Sequence, residues 1–416
     1  MEYLSELVLQ EEDSRLALLD PDVRRIIAAQ GLRAFGYGFT AVFLGRLLAA
    51  HAVSPTKVGL LLAAVIAGSA LSSLVFGRYS DRWGRRRSYG WLYIAVAVAG
   101  TIIAFDPPLW LIAIVALTGT LSTDVIDNGP GTTLEQAMLV QAESKVSKAS
   151  IFGIYNSFGA LMGAFGALTQ GFISSITGSS HISSLAFLVL LPLGIAGAIL
   201  AATLTSAVEP FKTKEEKDSN PLHGKLGPSK RNVFQLAGLF AADAAGGGLI
   251  TATFLAYYFT MRYAASARSL GLIFFGVSLL QAVSVLVAPR LAKRIGLIWT
   301  MVGTHLPSNM LLVAMAFAPN LTVACLLLFA RSFLSQMDVP TRQALVMTVV
   351  TPEERIPAAA VTNAARYMVR PLGPMAAAAL QQIALGAPMV VAGSIKGIYD
   401  LALLGWAMSK KLTRSL

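Results

Sequence analysis

The chain carries little charge, one cysteine and four histidines. Of its 416 residues 13% are Asp, Glu, Lys or Arg, about half the share in an average soluble domain, which excludes most water-soluble architectures. The lone Cys325 excludes an intramolecular disulfide framework and any multi-cysteine metal site. The histidines are scattered, no Glu-x-x-His grouping is present and no Gly-rich phosphate loop of the ATP-driven pumps occurs. No metal, no cofactor and no enzymatic activity are therefore expected.

Apolar residues take the place of the missing charge. They make up 55% of the chain, with a mean hydropathy of +0.64. Windows of about 19 residues find stretches able to cross the roughly 30 Å hydrocarbon layer. Twelve are read: 26–50, 58–76, 88–105, 109–127, 151–176, 183–208, 233–258, 270–288, 297–318, 320–337, 357–384 and 388–408. The acidic start, with Glu2, Glu6, Glu11, Glu12 and Asp13, is the opposite of a cleavable signal's basic region. Asp20-Pro21 before the first span reads as an N-cap and a proline at the first helical position.

The net charge of +11 has a direction. With both termini in the cytosol, inner segments hold 24 of the 33 Lys and Arg, outer loops hold only Lys57, Arg262 and Arg268, and six lie within spans. That asymmetry fixes the orientation by the positive-inside rule. It also argues against nucleic acid as a partner, because the cations follow the membrane face. Between the sixth and seventh spans, residues 209–232 are polar and rich in Pro, Gly and mixed charge. This reads as a linker dividing an N-terminal bundle, 1–208, from a C-terminal bundle, 233–416.

After the second span runs Gly77-Arg78-Tyr79-Ser80-Asp81-Arg82-Trp83-Gly84-Arg85-Arg86-Arg87. Five cations at the cytosolic surface suit anionic headgroups, but a single Asp among them does not follow from that. The pattern Gly-x-x-x-Asp-Arg-x-Gly-Arg-Arg resembles the signature loop of the major facilitator superfamily, and span count, central loop and orientation extend the resemblance over the whole chain. The resemblance implies twelve transmembrane helices in two pseudo-symmetric six-helix bundles. It also implies a gating loop formed by Gly77, Asp81, Arg82, Gly84, Arg85 and Arg86, with Asp81 facing the N-terminus of the eleventh helix near Pro357, an arrangement the helix dipole favours. Gly77 is expected to permit close helix approach and Gly84 a tight turn. At an offset of 212, Pro289-Arg290-Leu291-Ala292-Lys293-Arg294-Ile295-Gly296 repeats the skeleton, with Lys293 in place of Asp81. Two related halves predict such a copy.

Ionisable residues in a bilayer are costly and mark function by default. They fall in the first span (Arg33), the fourth (Asp124, Asp127), the seventh (Asp243), the tenth (Arg331, Asp338) and the eleventh (Arg366, Arg370). The family resemblance makes the first, fourth, seventh and tenth helices cavity-lining. Asp124 and Asp127 share a helical face, as do Arg331 and Asp338. Each acid is either a proton carrier or permanently neutralised by an arginine. Gly246-Gly247-Gly248 after Asp243 reads equally as a bend or as close packing. Arg366 and Arg370 precede Pro371-Leu372-Gly373-Pro374, which must interrupt the helix. They are read as partners of Asp124 and Asp127, or as an anion site. Lys396 and Asp400 read as an internal i, i+4 pair, and His305 beside Pro307 as packing. Gly159, Gly163 and Gly166 suit close packing in the fifth span. The family's antiporters carry a Gly- and Pro-rich motif there, and Ala164 stands where its proline would be.

The expected function is proton-coupled efflux of a small organic solute by alternating access. Asp127, Asp124 or Asp243 is expected to carry the proton. Uptake or exchange of an anionic metabolite held by Arg33, Arg331, Arg366 and Arg370 is the alternative, and a non-transporting sensor a second. Expected partners are a small-molecule substrate, protons and membrane lipid, for a monomer in the cell membrane.

Overall fold

A computed structural model describes residues 19–122, 129–141, 148–176, 184–209, 226–351 and 354–412. Among them the chain is all-helical, as it must be where no water can satisfy the backbone. In the first half α1 is Pro21–Ala50, α2 Pro55–Trp83, α3 Arg85–Ala104, α4 Leu109–Leu117, α5 Pro130–Gln141, α6 Lys148–Ile176 and α7 Leu190–Ala202. In the second half α8 is Lys230–Leu249, α9 Ala252–Tyr263, α10 Ala267–Ile295, α11 Leu297–Ala316, α12 Leu321–Ser335, α13 Asp338–Thr348, α14 Arg355–Val369, α15 Leu372–Gln381 and α16 Ala387–Ser409. Nine stretches among the described residues are each long and apolar enough to cross a membrane. With α1 and the interrupted fourth and eleventh spans, they make up the twelve.

The repeat is visible in the element boundaries. Helices α2 and α10 both have 29 residues, α3 and α11 both have 20, and every boundary is displaced by 212. Gly84 and Gly296 join the pairs with φ of 90° and 89°. Both glycines therefore occupy the positive-φ region that side chains disfavour. The degenerate second loop has kept the turn while losing the acid.

The seventh, tenth and eleventh spans are each two helices. Span seven breaks at Ile250, and the Thr251 hydroxyl restarts it by accepting the Phe254 N–H at 3.1 Å. Span eleven breaks at Arg370 and Pro371, where the proline has no N–H to give. Span ten breaks at Gln336 and Met337; Pro340, in the first turn of α13, has no N–H to give to the Gln336 carbonyl. In the fourth span α4 ends at Leu117, Gly119 turns with φ 74°, and α5 starts at Pro130.

Contacts among the described residues define two compact units, one within 1–40, 68–166 and 183–212, the other within 41–67, 167–182 and 213–416. In the first, α1 lies backbone to backbone on α6. A Cβ at Gly38 would collide with the Gly163 carbonyl, and one at Gly166 with the Phe35 backbone. The glycines expected to pack closely do so against α1. Val23, Ile26, Tyr89, Leu134, Met138 and Tyr155 close this unit's core. In the second, Gly248 of α8 meets the Arg370 carbonyl and Gly373. The triple glycine therefore serves both close packing and the break two residues later. The core there joins Leu236 and Phe240 of α8, Met301 of α11, Leu345 of α13 and Leu403 of α16.

Candidate functional site

Each unit buries one polar cluster inside an otherwise apolar bundle. In the first, Arg33 of α1 meets Glu135 of α5 as a fork, Nε donating to Oε1 at 3.0 Å and Nη2 to Oε2 at 2.5 Å. The Tyr89 hydroxyl of α3 donates to Oε1 at 2.7 Å and the Tyr155 hydroxyl of α6 to Oε2 at 2.6 Å. Tyr93 passes a further bond to the Ala29 carbonyl at 2.5 Å. Glu135 is fully buried, and four donors satisfy its two oxygens. The Gly129-Pro130-Gly131 elbow has a use here: a Cβ on Gly131 would press on the Arg33 Nε and Cδ. Pro130 starts the helix and Gly131 leaves room for the guanidinium to lie across it.

The second cluster is more highly charged and joins four spans. Asp243 of α8 bonds through Oδ1 to the Lys396 ammonium of α16. Its Oδ2 lies 3.5 Å from Arg342 Nη1 of α13, and its Oδ1 3.8 Å from His305 Nε2 of α11. Arg342 also donates to Asp338 Oδ2 at 2.6 Å. On the far side of the imidazole, His305 Nδ1 is 2.8 Å from Asp400 Oδ1, and Asn309 donates to Oδ2 at 2.9 Å. All these side chains are buried, and Asp243 touches three basic groups. A Cβ on Gly246 would strike the Lys396 stem. The glycine next to the acid thus seats its counter-ion.

Two sequence expectations are corrected. Lys396 and Asp400 do not pair with each other: Lys396 crosses to α8 and Asp400 to α11, because a neighbouring helix offers each a buried opposite partner with better geometry. His305 is not mere packing; its two nitrogens face carboxylates from different helices. It stands 212 residues after Tyr93, which belongs to the first cluster, so the repeat could have flagged it. Glu135 is not among the expected residues because it lies beyond residue 127, the expected end of the fourth span. Glu135 and Arg342 carry a charge-swapped arrangement: arginine on the first span with an acid on the fourth, acid on the seventh with an arginine on the tenth.

Of the other expected residues, Asp124 and Asp127 lie outside the described residues. Arg331 and Asp338 do not meet; the break at Gln336 separates them, and Asp338 takes Arg342. Arg331 and Arg366 are half-buried, each with a shielded Nε lacking an acceptor among the described residues. Arg370 ends α14, where its carbonyl meets Gly248. In the signature loop Asp81 pairs with Arg85 Nε at 2.7 Å, its side chain 52% exposed. Arg85 also donates to the Ala137 carbonyl at 3.3 Å. Glu209 accepts the backbone N–H groups of Arg85 and Arg86 at 2.8 and 3.2 Å, capping α3. Gly77 makes ordinary contact with Thr133, Gly84 makes the turn, Arg86 has a buried Nε and Arg82 ends α2. No group of three His, Cys, Asp or Glu able to hold a metal occurs among the described residues.

Residues 26–374 match the family model described as Major Facilitator Superfamily. An uncharacterized membrane protein of Saccharomyces cerevisiae is 23% identical over 387 residues, covering 85% of this chain and 86% of that protein. Among solved structures, the nucleoside transporter NupG is similar with a TM-score of 0.72 at 14% identity, covering 93% of this chain and 99% of that one. A D-xylose-proton symporter is similar with a TM-score of 0.70 at 15% identity, covering 92% and 96%. At these identities the likeness is one of fold.

Proposed function

This chain belongs to the Major Facilitator Superfamily and is a multi-pass membrane transporter, and from that premise we propose that it couples movement of a small organic solute to protons, with Asp243 as the proton carrier. The observation that carries the reading is the setting of Asp243: a buried carboxylate held by Lys396, Arg342 and His305 from three other helices. Protonating it weakens three interactions at once and frees the Lys396 ammonium, while Arg342 keeps Asp338. Such an event can bias an equilibrium between two packings of the bundle. Glu135 offers no comparable switch, because its partners saturate it.

The direction follows from the solute's charge. A neutral or cationic solute competes with the proton for Asp243 and leaves as protons enter, which is the export by antiport expected from the sequence. An anionic solute binds best beside a protonated Asp243 and travels with the proton. The cation count supports an orientation with both termini in the cytosol, and the cell membrane is the location we propose. Asp81 is proposed as a latch: its pair with Arg85 is half open to solvent and readily exchanged. Asp81→Asn should therefore lose transport while membrane insertion is kept.

The test is transport into proteoliposomes from a mixture of cellular metabolites, with and without an imposed pH gradient, read by mass spectrometry. At least one solute should move only with the gradient. Solute movement indifferent to the gradient would overturn the coupling.

A further inference from the structure

Helices α3 and α7 of the first unit approach each other through glycines. A Cβ on Gly194 would collide with the Tyr93 carbonyl, one on Gly197 with the Tyr93 ring and one on Gly100 with Leu190. On their exposed side the same two helices leave a groove of about 600 Å³, within the roughly 300–1,000 Å³ of ordinary ligand pockets. Ala97 and Ala198 form its floor, and Ile94, Val98, Ile195 and Ile199, each 44–59% exposed, form its walls. Every lining side chain is aliphatic except Thr101, whose hydroxyl is spent on the Ala97 carbonyl at 2.8 Å. The groove offers no free polar side chain to a solute and suits a hydrocarbon chain.

A cation stands at one end of it. Arg87, Ile94 and Thr101 recur every seven residues and so share a face of α3, with Arg87 about 10 Å along the axis from Ile94. The Arg87 stem runs back toward Gly84, which carries the guanidinium away from the hydrocarbon and toward the start of the helix. Trp91, 66% exposed, lies between the cation and the groove, where an amphipathic ring marks a membrane interface. Arg87 falls outside the family's loop pattern. Arg85 is held by Asp81, whereas Arg87 is exposed and has no ion pair or hydrogen bond among the described residues. We propose that the groove between α3 and α7 binds an anionic phospholipid, with one acyl chain between the helices and the phosphate on Arg87. An arginine at headgroup depth attracts such a lipid by charge and by its forked donors. A second copy of this chain fits less well, because a two-fold axis normal to the membrane would set Arg87 against its own copy at the same depth. The site goes beyond the transport reading and needs neither the proton nor the transported solute.

The experiment is native mass spectrometry of the full chain released from detergent micelles, titrated with dioleoylphosphatidylglycerol, dioleoylphosphatidylcholine or glycerol phosphate. Phosphatidylglycerol should bind at least about fivefold more tightly than phosphatidylcholine, and glycerol phosphate should not bind. Arg87→Gln should bring the two lipids to equal affinity, and Val98→Trp, which fills the groove from an exposed wall, should weaken both. In the wild type, phosphatidylglycerol carrying a diazirine in its acyl chain should label residues within 94–102 or 191–202, which tests the site even if a variant fails to fold. Equal binding of the two lipids, a preference that survives in Arg87→Gln, glycerol phosphate binding as tightly as the lipid, or label confined to other helices would each overturn the site. So would a lipid-free dimer that Val98→Trp dissociates, which would give the groove to a second copy.

Discussion

Lys396 of α16 reaches across to Asp243 of α8 and leaves Asp400, four residues along its own helix, to His305 and Asn309. A buried pair of this kind costs desolvation on both sides, so its removal one member at a time differs sharply from its removal together. Lys396→Met alone takes from Asp243 its closest partner, leaving only Arg342 and His305, and should destabilise the protein by about 1.5–3 kcal/mol. Lys396→Met with Asp243→Asn should recover at least half of that loss. A double-mutant cycle of unfolding midpoints in detergent reads it, and strictly additive losses would show that the two side chains are not coupled.

The first cluster makes a contrasting prediction. Glu135 holds two tyrosine hydroxyls besides the arginine fork. Each hydroxyl donates to a charged acceptor in a dry interior, so Tyr89→Phe and Tyr155→Phe should each cost about 1.5–3 kcal/mol. Because the cluster is treated as structural, surviving folded variants should keep the wild-type pH dependence of transport. A changed pH profile in either variant would move Glu135 into the coupling machinery.

Glu354, at the start of α14 and outside the membrane, ties down the end of the central linker. Its carboxylate accepts from the Ser229 side chain and from the backbone N–H groups of Gly227 and Ser229, which hold its pKa below the ordinary glutamate value. A group lowered in the folded state stabilises fully above its unfolded pKa, near 4.3 for ordinary glutamate, and that stabilisation is lost as pH falls through the lowered value. Glu354→Gln should therefore be less stable than wild type at neutral pH, with the gap closing in acid. A gap that widens on acidification would contradict the assignment.

Much of this was legible in the sequence, for physical reasons. Apolar length marks a crossing, so α1, α2, α3, α6, α10, α11 and α16 fall close to their expected spans. Pro371 announced its break because a missing N–H is a local fact. The break at Gln336 and Met337 carries the same kind of signal in Pro340, which has no N–H for the Gln336 carbonyl. The charged residues themselves could be picked out by cost, but their pairing could not. Helical spacing put Lys396 with Asp400 and Arg331 with Asp338, whereas partners on other helices took Lys396 and Asp400, and Asp338 took Arg342 one turn along its own helix. Tertiary neighbours outcompeted the i, i+4 relation of Lys396 and Asp400, where burial makes each ion demand a well-placed partner, and left that of Asp338 and Arg342 in place. His305 was passed over because one imidazole on an apolar helix looks like core; its kinship to Tyr93 through the repeat was the available clue.

The account stands on Asp243 carrying the proton, and the most direct measurement separates exchange from accumulation in proteoliposomes with Asp243→Asn. An asparagine mimics the permanently protonated acid, so the variant should still exchange labelled for unlabelled solute across the membrane at equal pH. It should fail to accumulate that solute when a pH gradient is imposed. Gradient-driven accumulation by Asp243→Asn at the wild-type level would contradict the account.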